Sequence, residues 1–491
     1  MWHNRPMEIL RKVVFYFFLA LYLFLCPVII FYAFGYILAP KVEEGFVKTG
    51  LIHVESLPEN ASLFVANRRY VEKTPATIRN LLAGAYDVKL TLPGYRSWVR
   101  TVRVEPGRAS NFSKILLIPK KLKIRTLIAE PFESLQAVPG TRFLILKGSG
   151  SAGDLKVFDW RNDSVRQLLP EGSPFASGKL ERIFSVKDSS LVLIRVRTVE
   201  GEKYVGCFLD KEKPEVKDLS GLFQSGEPEE VLWEGNRPDY LFALYQGSLS
   251  RLDLEKEGVL PGFFKKVRGF GLLRGKVYAL CGASLVRASF NAKLGDKTLV
   301  ECGVFLENLF RGEEKFRLDF ISNNTICFRG EKGELFSNAL PYRFVSEGVR
   351  GYQPDDEGRK ILLWQKNRLG VLDFEKPERK KEFFERGPEI EWVVEKGQDI
   401  YQAYFVYDAS HVLYVDNNQV FLSRLEERGV TPERLVPVRG GSAVFYAEKT
   451  GRLYYLEASS GHLASVDILP EGITFSGVIG EIEKETQGAK L

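Results

Sequence analysis

The feature of the sequence that most restricts its fold is a long uncharged run close to the N-terminus. Residues 13–39 contain no Asp, Glu, Lys, Arg or His. As a helix, 27 residues extend about 40 Å at ~1.5 Å per residue, which exceeds the ~30 Å hydrocarbon core of a bilayer. We therefore predict one transmembrane signal-anchor helix over residues 13–39, preceded by a short segment, residues 1–12, and followed by a linker, residues 40–49.

A cleaved signal peptide is the alternative for this run, but its apolar core is normally only about 7–15 residues long and ends at a small-x-small site. Here Ile37 stands where a small residue is needed, and Pro40 follows Ala39. The sequence therefore favours an uncleaved anchor. The rest of the chain has no second run of comparable length, so a single span is expected.

The charges that flank the run predict its orientation. Arg5, Arg11 and Lys12 precede it, whereas Lys41 just after it is offset by Glu43 and Glu44. Positive residues stay on the cytoplasmic side of a membrane helix. We therefore expect residues 1–12 to be cytoplasmic and the bulk of the protein to be extracytoplasmic, anchored in the cell membrane.

Positive charge is concentrated in the segment that follows the run. Residues 41–124 hold fifteen Lys or Arg against seven Asp or Glu, although the whole chain carries only +6. This excess fits either a solvated face or a contact with anionic lipid headgroups or wall polymer. Nucleic acid is not expected as a partner, because the segment should lie outside the cytoplasm. The candidate contact residues are Arg68, Arg69, Lys73, Arg96, Arg100 and Arg103.

Apolar and polar residues alternate in several short runs within residues 50–119, which predicts a small antiparallel β-domain. The runs include residues 52–54, 63–65 and 88–92, separated by turn residues such as Pro93 and Gly94. Tyr86, Tyr95 and Trp98 supply the bulk that a core of this size needs, so we expect them to pack in the core.

This segment resembles the PEGA domain, a β-sandwich-like module of bacterial and archaeal envelope proteins. The resemblance rests on the opening GLIHV at residues 50–54, PENA at 58–61, Thr74-Pro75, LAGAYDV at 82–88 and GY at 94–95. Asn60 replaces the Gly of the name-giving motif, and Asn also tolerates the left-handed turn conformation. The resemblance implies surface attachment or interaction, and no chemistry.

From residue 125 onward one unit recurs: an apolar strand, a tight turn, a second strand and then an acidic residue. The units recur on average every ~43 residues, which is the length of a four-stranded propeller blade. We predict a β-propeller of six to eight blades over residues 125–475 and a disordered tail over 476–491. The clear hairpins pair residues 143–146 with 155–159, 240–244 with 249–253, 361–364 with 369–373, 412–415 with 420–426, and 443–446 with 453–457.

The run YQPDDEGRKI at residues 352–361 resembles the Pro-Asp-Gly turn before a strand in TolB-type propellers, with Asp356 and Glu357 inserted before Gly358. This resemblance supports the propeller fold and implies no partner. Long helix-period stretches are lacking beyond the N-terminal run, which argues against α/β enzyme folds. The predicted fold class is therefore mainly β.

The sequence carries no motif that indicates catalysis, a metal site or a cofactor. Its four histidines lack ligand spacing, and the GSGSAG run at residues 148–153 precedes a strand, whereas a dinucleotide fingerprint precedes a helix. We interpret that run as a hairpin loop. Four cysteines in strand-like segments lack C-x-x-C spacing, so buried free thiols are expected, with disulfides as the alternative: Cys207, Cys281, Cys302 and Cys327.

Two functions remain open at this point. The first is a membrane-anchored, non-enzymatic binding or scaffold protein of the cell envelope, whose β-domain and propeller interact with a protein or a glycan. The alternative is an extracytoplasmic hydrolase or lyase that uses carboxylates gathered in the propeller channel.

Overall fold

The computed structural model of the chain describes residues 5–38, 46–211, 215–235, 238–282, 284–302, 315–338, 343–375, 390–425 and 431–469. The chain divides into two units, residues 1–123 with 468–491, and residues 124–467. The predicted tail, residues 476–491, lies outside the described residues, as do residues 1–4 and most of the predicted linker.

The N-terminal apolar run forms helix α1 (Arg5–Ala33), which ends earlier than predicted. Gly35 follows it with φ +82°, the left-handed conformation that commonly stops a helix. The chain then enters strand β1 (Tyr36–Leu38), which pairs antiparallel with β2 (Phe46–Lys48). The prediction of a helix to residue 39 was therefore wrong at its C-terminal end, because aromatic and β-branched residues there join a strand.

The remaining strands of the first unit form two sheets with a shared core. One sheet has the order β6-β3-β9, with β3 and β9 parallel, and the other has the order β5-β4-β7-β8. Ile52, Leu63 and Leu90 are fully buried between them, and the three predicted core aromatics pack against this cluster. The strands are β3 (Gly50–Leu57), β4 (Ser62–Val65), β5 (Arg68–Lys73), β6 (Ala76–Leu81), β7 (Gly84–Thr91), β8 (Trp98–Val104) and β9 (Ala109–Leu116).

The described residues of the second unit form eight four-stranded antiparallel sheets, which we call blades. Blades 1 to 4 are, in chain order, β11 (Ser134–Ala137), β12 (Phe143–Lys147), β13 (Leu155–Asp159), β14 (Ser164–Gln167); β15 (Lys179–Ser185), β16 (Leu191–Thr198), β17 (Gly201–Phe208), β18 (Glu215–Asp218); β19 (Glu230–Trp233), β20 (Tyr240–Tyr245), β21 (Ser248–Asp253), β22 (Gly258–Lys265); β23 (Val267–Leu273), β24 (Lys276–Cys281), β25 (Ser284–Ser289), β26 (Thr298–Cys302).

Blade 8 is completed by a strand from the other end of the unit, because β10 (Ile124–Ile128) pairs with the third strand of that blade. Blades 5 to 8 are β27 (Phe316–Phe320), β28 (Ile326–Gly330), β29 (Leu335–Ser337), β30 (Arg343–Ser346); β31 (Gly351–Pro354), β32 (Lys360–Trp364), β33 (Leu369–Asp373), β34 (Glu391–Val394); β35 (Ile400–Val406), β36 (His411–Asp416), β37 (Gln419–Arg424), β38 (Glu433–Pro437); β39 (Phe445–Ala447), β40 (Arg452–Leu456), β41 (Leu463–Asp467) with β10.

The eight blades form a closed ring. Separate clusters of buried apolar side chains join blades 1 to 7 in sequence and join blade 8 to blade 1. Blades 7 and 8 meet through hydrogen bonds: Gln402 Nε2 and Tyr404 Oη donate to the Val444 carbonyl at 2.9 and 2.8 Å, and Val444 N donates back to Gln402 Oε1. The unit is a β-propeller with eight blades, which lies within the predicted range.

Four of the five predicted hairpins are the second and third strands of their blades, as in the β12–β13 pair. The fifth is the pair β39–β40, the first and second strands of blade 8. That repeat was therefore placed one strand out of phase, because the missing strand of blade 8 comes from residues 124–128. Asp467, at the end of β41, is the true counterpart of Asp159 at the end of β13.

Cys207 and Cys327 are buried and Cys281 is half-buried, and all three are free thiols. Burial raises the pKa of Cys207 and of Cys327 to about 12. Cys302 ends strand β26, and its side chain lies outside the described part of the structure.

Candidate functional site

The candidate site is a cavity of about 600 Å³ in the second unit. Its lining residues come from the beginnings of the first strands of blades 2 to 5, the ends of the second strands β20 and β28, the turn after β28, and the segment before the first strand of blade 6. First strands of neighbouring blades contact one another, as β23 and β27 do, so they surround the centre of the ring. In an antiparallel blade the first strand begins where the second strand ends, which places the cavity at that face of the propeller.

Cations dominate the lining of this cavity. Seven basic residues face three glutamates, and five of the seven are arginines. The acids are Glu229, Glu230 and Glu331, and the basic residues are Arg182, Arg268, Lys315, Arg317, Arg329, Lys332 and Arg350.

Several of the cations are held in position by carboxylates. Lys315 Nζ lies 2.9 Å from Glu229 Oε1, and Arg350 Nη1 lies 2.7 Å from Asp399 Oδ1. Arg317 Nε donates to Asp319 Oδ1 at 3.1 Å. These pairs fix the side chains, and they leave the other N–H groups of each arginine for further partners.

Two arginines are oriented differently, by backbone carbonyls. Arg182 Nη1 donates to the Glu229 carbonyl at 3.3 Å, and the guanidinium lies over the Phe184 ring with Cζ 4.5 Å from its centroid. Arg329 Nη1 donates to the Arg350 carbonyl at 2.9 Å. Among the described residues neither guanidinium forms an ion pair, although both interact electrostatically with Glu230.

A hydrogen-bonded group of titratable side chains adjoins the cavity. Tyr352 Oη donates to Asp319 Oδ2 at 2.5 Å, and burial raises the Tyr352 pKa well above its ordinary value. The neighbouring Asp319 carboxylate raises the pKa of Arg317. Burial raises the pKa of Glu230 to about 7, against the opposing effect of Arg317. Arg317 therefore stays charged, whereas Glu230 changes its charge near neutral pH.

The structure separates the six candidate contact residues of the first unit. Arg68, Arg69 and Lys73 are exposed on β5, and Arg100 and Arg103 lie on β8, at the opposite edge of the same sheet. Arg100 turns toward the interior, with Cζ 5.1 Å from the centroid of the Phe112 ring. Arg96 lies between β7 and β8, where its backbone N–H donates to the Ile118 carbonyl. Of the six, the three residues of β5 are all exposed and lie on one strand.

Neither a metal-ligand group nor a nucleotide loop was found in the part of the chain that the structure describes. No cluster of three or more His, Cys, Asp or Glu side chains in those residues is arranged to hold an ion. The Gly-rich run at residues 148–153 lies in the turn between β12 and β13, which includes a short 3-10 turn (Ala152–Asp154), and a strand follows it. The cavity therefore remains the candidate site, because it brings charged groups of several blades together.

Sequence reasoning missed the cavity, because its residues are far apart in the chain and no short motif joins them. Arg182 and Arg350 lie in blade 2 and just before blade 6, and each stands alone in its local pattern. The available signal was an arginine at or beside the first strand in four of the repeats, those of Arg182, Arg268, Arg317 and Arg350. To use that signal, one must know which strand of each repeat is the first of its blade. The predicted hairpins do not indicate this consistently, because residues 143–159 hold the second and third strands of blade 1, whereas residues 443–457 hold the first and second strands of blade 8.

The fold and the cavity define a propeller-bearing protein with an N-terminal apolar helix and a small β-domain between the two. Residues 49–117 match the family model of the PEGA domain, so the chain carries a PEGA domain in its first unit. The comparison with curated proteins gave no match. A PEGA domain together with a propeller suggests a binding or scaffold role.

Solved structures similar to this chain are also propeller proteins. Hsv2 from Kluyveromyces lactis is 8% identical with a TM-score of 0.37, and the match covers 60% of this chain and 92% of Hsv2. The Cps50 (Swd1) β-propeller domain from Myceliophteria thermophila is 12% identical with a TM-score of 0.36, over 71% of this chain and 99% of that chain. PorZ from Porphyromonas gingivalis is 14% identical with a TM-score of 0.37, over 68% of this chain and 42% of PorZ. The propeller assignment itself rests on the sheet order and the ring closure described above.

Proposed function

We propose that this chain is a membrane-anchored, extracytoplasmic binding or scaffold protein of the cell envelope, whose propeller binds a protein or a glycan. The observation that carries the proposal is the polar cavity at the centre of the eight-bladed ring. Ligand sites are concave and hold a few convergent polar groups, as this cavity does. The PEGA domain would then serve as a spacer or a surface contact between the anchor and the propeller.

The helix supports membrane attachment by length and composition. Within Arg11–Ala33 an 18-residue window has a mean hydropathy of 2.7, and none of that window is buried against the protein. A helix of 23 residues with such an apolar window is long enough to cross a bilayer. The basic residues before it favour a cytoplasmic N-terminus, which would place both folded units outside the cytoplasm.

The exposed cations of β5 support a contact between the PEGA domain and an anionic surface. Arg68, Arg69 and Lys73 follow one another along an edge strand. Charged residues also protect edge strands from pairing with other chains, which is the structural alternative. A double substitution, Arg69→Gln with Lys73→Gln, should weaken binding of the full chain to vesicles with anionic headgroups. The matched control is Arg79→Gln with Arg108→Gln, which removes the same charge elsewhere in the domain and should bind as the wild type does.

The arrangement in the cavity favours binding over the hydrolase or lyase alternative. Carboxylate-dependent hydrolysis needs two acids facing each other across the scissile bond. Three glutamates line the cavity. Glu229 is paired with Lys315, and Glu230 is the residue that follows Glu229 in the chain. The opposite sides are lined by arginines, which suit the recognition of an anion better than general acid catalysis.

Protease treatment of intact cells or spheroplasts tests the location. The full chain carries a tag at each terminus, and a known surface protein serves as the control. Cleavage of the C-terminal tag with survival of the N-terminal tag would agree with the proposed topology. Protection of the C-terminal tag under conditions that digest the surface protein would contradict it.

Affinity purification of the full chain from solubilised envelope tests the binding function. A specific protein or glycan should be recovered with the wild type and lost when cavity cations are substituted. The PEGA double variant serves as the comparison, because it leaves the propeller unchanged. Recovery of no partner from protein and glycan fractions alike would contradict a binding function.

A further inference from the structure

The propeller cavity has more positive charge than its own structure uses. Three cations are paired with carboxylates, whereas Arg182 and Arg329 are held by backbone carbonyls and, among the described residues, form no ion pair. They come from blades 2 and 5 and face the same volume. Glu230 is an acid that interacts electrostatically with both guanidinium groups, and a bound anion would add negative charge beside them and reduce their mutual repulsion.

The chemistry of the cations selects the kind of anion. Arginine presents a planar fork of N–H donors that matches the two oxygens of a carboxylate or phosphate group. Arg317 and Arg329 are cross-strand neighbours in blade 5, whereas Arg182 comes from blade 2, so a ligand with several oxyanion groups can contact more of these cations than one small anion can. A cavity of about 600 Å³ lies within the range of small-molecule sites, which is ~300–1,000 Å³.

We propose that the centre of the propeller binds a ligand carrying at least two phosphate or carboxylate groups, of the size of a short anionic oligosaccharide or a small polyphosphate. Arg182 and Arg329 are its primary contacts, and Arg317 contributes the donors that Asp319 leaves unused. Lys315, with its side chain 49% exposed, lies at the entrance. This inference rests on the proposed binding function, because it names the ligand class of that same site.

Isothermal titration of the purified full chain in zwitterionic nanodiscs tests the proposal. The probes are tripolyphosphate, citrate and trigalacturonate, each titrated at low and at high ionic strength. At least one should bind at low ionic strength and bind more weakly at high ionic strength, because salt screens the attraction. The probe that binds most tightly distinguishes a phosphate source from a carboxylate source. Failure of all three to bind at low ionic strength would overturn the proposal.

Substitutions locate the binding site. Arg182→Gln and Arg329→Gln should each raise the Kd about tenfold, the effect of losing one charged hydrogen-bonding partner. Arg161→Gln is the matched control: it removes one positive charge from the turn between β13 and β14, at the opposite face of the ring, and should leave the Kd unchanged. An Arg161→Gln effect as large as the cavity effects would show a non-specific attraction and overturn the proposal.

Two further measurements keep the result interpretable. Thermal unfolding identifies any variant that has lost its fold, and Lys315→Gln, at an exposed position, then replaces it and should also weaken binding. The titration uses purified protein, so it does not depend on membrane topology. A protected C-terminal tag in the protease experiment would contradict the proposed location without affecting the anion-binding result. Conversely, a failure to bind anions would contradict the proposed ligand class without affecting the location.

Discussion

Arg125 and Asp467 are 342 residues apart in sequence, yet Arg125 Nη2 lies 3.2 Å from Asp467 Oδ2 in blade 8. The ion pair joins β10 to β41, and the two strands pair antiparallel beside it. An exposed ion pair of this kind contributes at most about 1 kcal/mol. Closure of the ring therefore depends mainly on the strand ladder and on the apolar side chains that β10 buries.

The first prediction concerns this closing strand. Ile128 at the end of β10 is 9% exposed and packs in the cluster between blades 8 and 1, whereas Ile124 at its start is 49% exposed. Ile128→Ala should lower the free energy of unfolding by about 2–4 kcal/mol, through lost burial and the cavity left behind. Ile124→Ala should change it by less than about 0.5 kcal/mol. Urea unfolding followed by tryptophan fluorescence checks both, and equal effects would show that β10 does not close the ring.

The second prediction concerns a buried hydroxyl in the PEGA domain. Thr74 is 1% exposed, and its Oγ1 accepts from Ala61 N at 3.0 Å and lies 2.6 Å from Ser56 Oγ. Thr74→Val keeps the shape but leaves the Ala61 N–H without its acceptor, while Ser56 Oγ keeps its bond to the Pro58 carbonyl, and this loss should lower the free energy of unfolding by about 1–3 kcal/mol. Thr77→Val, at an exposed position nearby, is the control. The first unit should lose thermal stability only in the Thr74 variant, and a neutral result would show that water replaces the lost partner.

The third prediction concerns acid stability. His411 is 5% exposed, its Nδ1 lies 2.8 Å from Ser410 Oγ, and burial with the charge of Arg424 lowers its pKa from 6.5 to about 3. The unfolded chain therefore takes up a proton at pH values where the folded protein does not. The contribution is fully present above pH 6.5 and is lost progressively as the pH falls toward 3.

His411→Asn removes this titration and keeps a polar group near Ser410. The melting temperature of the wild type should fall more steeply than that of the variant as the pH decreases from 6.5 to 3. Above pH 6.5 the difference in melting temperature between the two proteins measures the effect of the substitution apart from the titration of His411. If the melting temperatures of the two proteins fell in parallel from pH 6.5 to pH 3, His411 would not limit acid stability.

The blade repeat was predictable because one chemical feature recurs at a fixed place. Asp159, Asp253 and Asp373 each end the third strand of a blade, and each carboxylate accepts from backbone N–H groups of the turn that follows. Such capping of a turn depends on a few adjacent residues, so the local sequence indicates it. Asp467 also ends the third strand of its blade, although its carboxylate pairs with Arg125 and Arg452. The last repeat was misplaced because the strand that completes blade 8 comes from residues 124–128.

The cavity could not be predicted in the same way. Arg317 and Arg329 are neighbours through the β27–β28 pairing, but Arg182 joins them from blade 2 only because the intervening blades curve around a common centre. Local patterns also misjudged the end of helix α1, where Tyr36–Leu38 is as apolar as the helix before it. The position of the cavity and the end of helix α1 both depend on which strands pair with each other. The hydropathy of a segment does not indicate its pairing partner.

The last prediction concerns the pH dependence of anion binding. Glu230 lines the cavity, and burial raises its pKa to about 7, with Arg317, Asp319, Arg182 and Arg329 as the charged groups around it. Below pH 7 the carboxyl group is protonated, and the cavity carries one negative charge fewer. Above pH 7 it is ionised and repels an anionic ligand. Binding should therefore weaken as the pH rises through 7.

Trigalacturonate is the suitable probe, because its carboxylates stay ionised across this range, whereas phosphate groups titrate near pH 7. In the wild type its Kd should rise severalfold from the acid to the alkaline side of pH 7. Glu230→Gln should bind as tightly on the alkaline side as the wild type does on the acid side. Glu331→Gln, which removes a negative charge from an exposed position in the same lining, should strengthen binding on both sides and keep the pH dependence. If Glu230→Gln retained the pH dependence of the wild type, a group other than Glu230 would have to be the one that titrates.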